Sequence, residues 1–117
     1  MKTRKILINA DYGGFGLSDE AKELYLTKKG ISFTKEERRS FLFDEKYYFY
    51  IDGEYFSEHD LKRDDPIMIE IFEQLGSERF SSTFCTVKVV EIPFEVEWIL
   101  CEYDGNEWIA EKHRIWQ

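Results

Sequence analysis

The sequence predicts an α+β fold in which two helices pack on a mixed, mostly antiparallel β-sheet. Three observations predict it. Two segments place apolar residues at helical spacing between capping signals, several short segments are rich in β-branched and aromatic residues, and two Asp-Gly pairs separate such segments. A chain of 117 residues falls within the size range of one domain, so residues 1–117 are read as a single unit. The hydrophobic fraction of 43% can fill a core without a disulfide or metal and argues against intrinsic disorder.

Lys5 to Asn9 is a short apolar run that suits a buried strand. Three glycines follow within Tyr12-Gly13-Gly14-Phe15-Gly16, and then Ser18 is placed to cap a helix over residues 18–29. Asp19 and Glu20 in its first turn and Lys28 and Lys29 in its last turn match the helix dipole, with Gly30 as the stop. Residues 31–46 carry no clear period; Glu36, Glu37, Arg38 and Arg39 suit either a helical turn or a charged loop. Tyr47 to Ile51, Asp52-Gly53 and Tyr55-Phe56 then spell a β-hairpin. Asp65-Pro66 opens a second helix over 66–75, in which Met68, Ile71, Phe72 and Leu75 line one face and Gly76 ends the run. Strands are expected over 86–92 and 96–103, the second turned back by Asp104-Gly105 into Trp108-Ile109-Ala110. Leu24, Phe72, Val89 and Trp98 are expected to share one core.

The net charge of −8 repels phosphate backbones, so direct nucleic-acid binding is not expected. Such a surface keeps a small protein soluble and also complements a basic partner. Cys85 and Cys101 are the only cysteines and form no CxxC pair. The N-terminal apolar run of three residues is far short of a signal segment, and no stretch approaches the ~20 apolar residues of a membrane helix. The expected compartment is the cytoplasm, with reduced thiols and no membrane partner.

Two constellations are candidates for chemistry. The first is the strand–glycine turn–helix at Asn9, Tyr12, Gly13, Gly14, Phe15 and Ser18, where backbone N–H groups can face a ligand. Its spacing matches neither a dinucleotide fingerprint nor a Walker A loop, and no lysine follows to hold a triphosphate. A tight turn using glycine's positive φ explains the same residues. The second is Glu107, Glu111, His113 and Arg114, which gathers acid, base and cation near a hairpin. Strand alternation puts Glu107 and Glu111 on one face and Trp108 on the other, and the alternative reading is a solvated carboxylate face with Arg114 paired to an acid. No metal is expected, since His59 and His113 lie far apart and neither HExxH nor an EF-hand pattern occurs. No cofactor is expected either, and no catalytic nucleophile is marked by a G-x-S-x-G elbow.

The segment from Asn9 through Tyr12-Gly13-Gly14-Phe15-Gly16-Leu17-Ser18 resembles the N-terminal signature of a family of small, uncharacterised phage and prophage proteins. Val89-Val90-Glu91-Ile92-Pro93, then Val96-Glu97-Trp98 and Glu102-Tyr103-Asp104-Gly105, continuing through Glu107-Trp108-Ile109-Ala110-Glu111-Lys112-His113-Arg114 to Trp116, resembles its C-terminal signature, and Arg63-Asp64-Asp65-Pro66 fits its pattern before the second helix. Residues 31–62 are largely unmatched. The resemblance implies phage provenance and no transferable catalytic residue. The expected function is a non-catalytic binding protein that modulates or inhibits a bacterial host defence system by engaging a host protein. The alternative is a small-molecule or nucleotide-ligand binder, or an enzyme, built on the glycine loop and the Glu/His/Arg cluster.

Overall fold

The computed structural model describes residues 2–38 and 46–112. The apolar run at the start forms strand β1 (Thr3–Asn9), in which Ile6, Leu7, Ile8 and Asn9 are all buried. Such a run is covered on both faces, and it pairs antiparallel with β5 (Val87–Pro93), placing Leu7 opposite Val89. Helix α1 (Asp19–Lys28) begins where Ser18 accepts a hydrogen bond from the Ala21 amide, and Gly30 follows its end at φ +71°. Helix α2 (Pro66–Leu75) starts at the expected proline, with Asp65 accepting from the Ile67 and Met68 amides. The two helices pack on each other, and α2 also lies on β1.

Two elements carry no apolar period and emerge only in three dimensions. The charged segment Thr34–Glu37 is a strand, β2, and neither a helical turn nor a loop. It is exposed throughout and pairs with β3 (Tyr47–Ile51), so its backbone completes a ladder while its side chains stay in water. The connection after Gly76 holds a short helix, α3 (Ser77–Phe80), whose single apolar residue, Phe80, is fully buried.

The strands divide among three antiparallel sheets: β1–β5; β2–β3 with β4 (Glu54–Tyr55); and β6 (Trp98–Tyr103) with β7 (Asn106–Glu111). Both predicted Asp-Gly hairpins form. Asp104 and Gly105 have φ of +49° and +89°, the left-handed pair that matches strand twist in a two-residue turn. The β6–β7 hairpin packs on β1 without joining its ladder.

The core gathers Leu7, Leu26, Phe49, Met68, Ile71 and Phe80 from α1, α2, α3 and two of the sheets. Leu24, Phe72 and Val89 border it as expected, half-buried. Trp98 does not: it is half-buried on the β6–β7 hairpin, which stands apart from the main sheet and leaves its faces partly open. Cys85 is buried and Cys101 partly exposed, both free thiols. Among the described residues no helix is long and apolar enough to cross a membrane.

Phe72 meets Phe80 edge-to-face at 5.4 Å between ring centres. Because Phe80 is fully buried and Phe72 is not, Phe80→Ala should cost about 3–5 kcal/mol and Phe72→Ala less. Chemical denaturation of both variants checks the order, and equal losses would place the two rings in equivalent sites.

Asp65 gives a pH prediction. Burial opposes its ionisation, yet the Tyr25 hydroxyl at 2.7 Å, the Ile67 and Met68 amides and Lys29 at 3.3 Å together hold its carboxyl below the usual aspartate range. Its stabilising contribution is therefore complete above the unfolded value of about 3.9 and is lost as pH falls through the lower folded value. Asp65→Asn should flatten that part of the acid limb in a plot of stability against pH. An acid limb identical to the wild type would remove Asp65 from the account.

Candidate functional site

Asn9 ends β1 with none of its surface exposed, so each polar atom of its amide needs a partner inside the protein. Each has one. The Nδ2 group donates to the Asp11 and Gly105 carbonyls, both at 2.8 Å, and Oδ1 accepts from the Asp11 amide at 3.1 Å and the Thr86 amide at 3.0 Å. This uses the full capacity of an amide side chain, two donors and two acceptor lone pairs. One residue thus ties together the glycine loop, the start of β5 and the Asp104-Gly105 turn.

Glu107 completes the knot from the opposite side. Its Oε1 accepts from the Asn9 backbone amide at 2.8 Å and from Arg63 at 2.5 Å, while Oε2 accepts the second Arg63 nitrogen at 2.8 Å. Only 14% of the Arg63 side chain and 7% of the Glu107 side chain remain exposed. The guanidinium also stacks 3.7 Å from the Phe15 ring centre, a cation–π arrangement strengthened by exclusion of water. The solvated carboxylate face therefore needs correcting: Glu107 is buried and paired, while Glu111, on the same face of the hairpin, is exposed. Burial of Glu107 follows from the bidentate cation that awaits it on the chain before α2.

The glycines serve close backbone packing. A Cβ on Gly13 would overlap the Phe84 carbonyl, and one on Gly105 would lie 2.7 Å from both the Gly14 nitrogen and the Tyr12 oxygen. The space beside Gly13 that a ligand would use is occupied by the turn at Phe84. Ser18 stands apart from the knot, capping α1 and donating to the Arg79 carbonyl at 2.6 Å. His113 and Arg114 lie outside the described residues. The structure thus joins Asn9, Gly13, Gly14, Phe15 and Glu107, and adds Arg63, Thr86, Phe84 and Gly105. Arg63 carried no local signal as a site residue, since its partner lies 44 positions away.

The abutting turns carry or adjoin exposed aromatic residues. Tyr12, Phe84 and Tyr103 are 67%, 64% and 68% exposed, the three most exposed large apolar residues described, and each lies in or next to one of the abutting turns. Phe84 is held at φ +63°, a left-handed conformation that costs a non-glycine residue roughly 1–2 kcal/mol. Among the described residues no group of three or more His, Cys, Asp or Glu side chains is placed to hold a metal. Compared with known proteins, the chain matches no family model, no curated protein and no solved structure.

The ion pair can be tested without knowing any ligand. Arg63→Met strands a buried carboxylate and should cost about 3–5 kcal/mol. Arg63→Met combined with Glu107→Gln keeps an acceptor for the Asn9 amide without the charge, and should recover at least about 1 kcal/mol of that loss. Denaturant melts of the single and double variants read both values. A loss under about 1 kcal/mol for Arg63→Met would show that the pair contributes no more than a surface ion pair does.

Proposed function

We propose that this chain is a non-catalytic protein-binding module, and that it acts by covering part of a bacterial host protein. The observation that carries this reading is the aromatic crown of Tyr12, Phe84 and Tyr103, seated on a polar knot whose own hydrogen-bonding groups are already paired. Exposed aromatic residues on a rigid base supply contact area at low entropic cost. The polar side chains beneath the crown are engaged in holding the fold. The left-handed backbone of Phe84 supports the reading, because strained residues cluster at binding sites. The host assignment rests on the resemblance of the two terminal motifs to phage and prophage proteins, and a defence system is the proposed target class.

A second reading, a small-molecule or nucleotide-like ligand at the same place, is favoured by the meeting of the N-terminal and C-terminal motifs around Asn9 and Gly105. Tagged protein purified from its bacterial host, with mass spectrometry for proteins and nucleotides, separates the two. The expected result is one host protein recovered in stoichiometric amount and lost on Tyr12→Ala/Tyr103→Ala with an unchanged melting temperature. Phe84→Gly should lose the partner, and relief of the left-handed strain should offset part of the stability lost with the ring. Recovery of a nucleotide without a protein would favour the second reading.

A further inference from the structure

The β6–β7 hairpin presents two unlike faces. Its register pairs Trp98 with Glu111, Leu100 with Ile109 and Glu102 with Glu107, so these share the face on which Glu107 reaches Arg63. Ile99 with Ala110, Cys101 with Trp108, and Tyr103 with Asn106 share the other. On that outward face Ile99, Trp108 and Tyr103 are exposed, continuing the aromatic crown along the ribbon. Among the described residues β6 pairs with no strand but β7, so its second edge offers backbone donors and acceptors.

Charge then selects the occupant. Residues 94–111 contain six carboxylates and no lysine or arginine. Arg63 neutralises Glu107, and at the hairpin base Arg4 lies over Phe94. At the tip, among the described residues, Asp11, Glu102 and Asp104 enter no ion pair. The open edge is thus apolar on one face and acid-rimmed at its end.

We propose that the outward face and free edge of this hairpin bind an extended protein segment in which cationic and apolar residues alternate. The segment adds to β6 as a strand, its apolar side chains meeting Ile99, Cys101 and Trp108 and its cations meeting Glu102, Asp104 and Asp11. Main-chain hydrogen bonds give the addition its affinity and the acid rim selects the charge. This rests on the binding reading and names the chemistry of the partner.

Three ten-residue peptides test it: one alternating lysine with leucine, one alternating glutamate with leucine, and one alternating lysine with serine. Anisotropy of the labelled peptide reads affinity, and the alkylation rate of Cys101, followed by peptide mapping, reports whether the face is covered. The lysine–leucine peptide is expected to bind saturably, slow Cys101 alkylation and weaken as salt is raised. Trp108→Ala should reduce its affinity about 30-fold, the loss typical of a hot-spot aromatic, and Glu102→Gln/Asp104→Asn about tenfold, with melting temperatures unchanged. Equal binding of the glutamate–leucine or the lysine–serine peptide, or Cys101 alkylation that no peptide slows, would overturn the proposal. So would sedimentation showing a dimer that Trp108→Ala dissociates, which would assign the face to a second copy. If a host protein still co-purifies while the lysine–leucine peptide fails to bind, the binding reading stands and this assignment alone falls.

Discussion

The guanidinium of Arg63 and the carboxylate of Glu107 have both left water, and in that setting neither is tolerable without the other. Their bidentate contact fixes where the C-terminal hairpin lies, because Glu107 belongs to β7 while Arg63 precedes α2. The same carboxylate accepts the last amide of β1, and Asn9 returns the connection by holding the Gly105 carbonyl. No ladder hydrogen bonds join the hairpin to the β1–β5 sheet. Side-chain polar contacts do at this junction what a sheet would otherwise do with its backbone. A polar network of this kind is specific in a way that apolar contact is not, since a shifted register would leave buried charge unmatched.

That arrangement explains how aromatic residues stand exposed at the top of a small fold. Three turns meet at close backbone range, with Gly13 against Phe84 and Gly105 against Tyr12 and Gly14, so none can move without the others. In the proposed binding reading, rings projecting from such a base would meet a partner already oriented and lose little freedom on contact. Acid at the same edge repels polyanions and draws cationic surfaces. The knot and the crown are one device: the first consumes polar groups to hold still, and the second offers what remains.

Local signals made most of the fold legible. Asp65-Pro66 and the apolar face of Met68, Ile71 and Leu75 located α2 to the residue, and both Asp-Gly pairs turned as their left-handed preference requires. What local pattern missed had no apolar period to show: β2 is an exposed edge of four polar or charged residues, and α3 buries one ring. The candidate site was half legible. Glycines and Asn9 marked a place where the backbone does something unusual, but whether that space holds a ligand or another turn depends on Phe84 and Gly105, far along the chain. Glu107 was visible as a carboxylate on a strand, and its fate depended on Arg63, which sequence distance concealed.

The contacts that close the knot span 96 and 98 residues, from Asn9 to Gly105 and to Glu107. During synthesis at about 5–20 residues per second, β1 is made first and waits roughly 5–20 s for the hairpin that anchors its end. Its partner strand β5 is itself late, so Ile6, Leu7 and Ile8 leave the ribosome as an apolar strand with both edges open. For that interval the nascent chain depends on chaperones, or on the charges of Lys2, Arg4 and Lys5 beside the apolar run, to keep this segment from pairing with another chain.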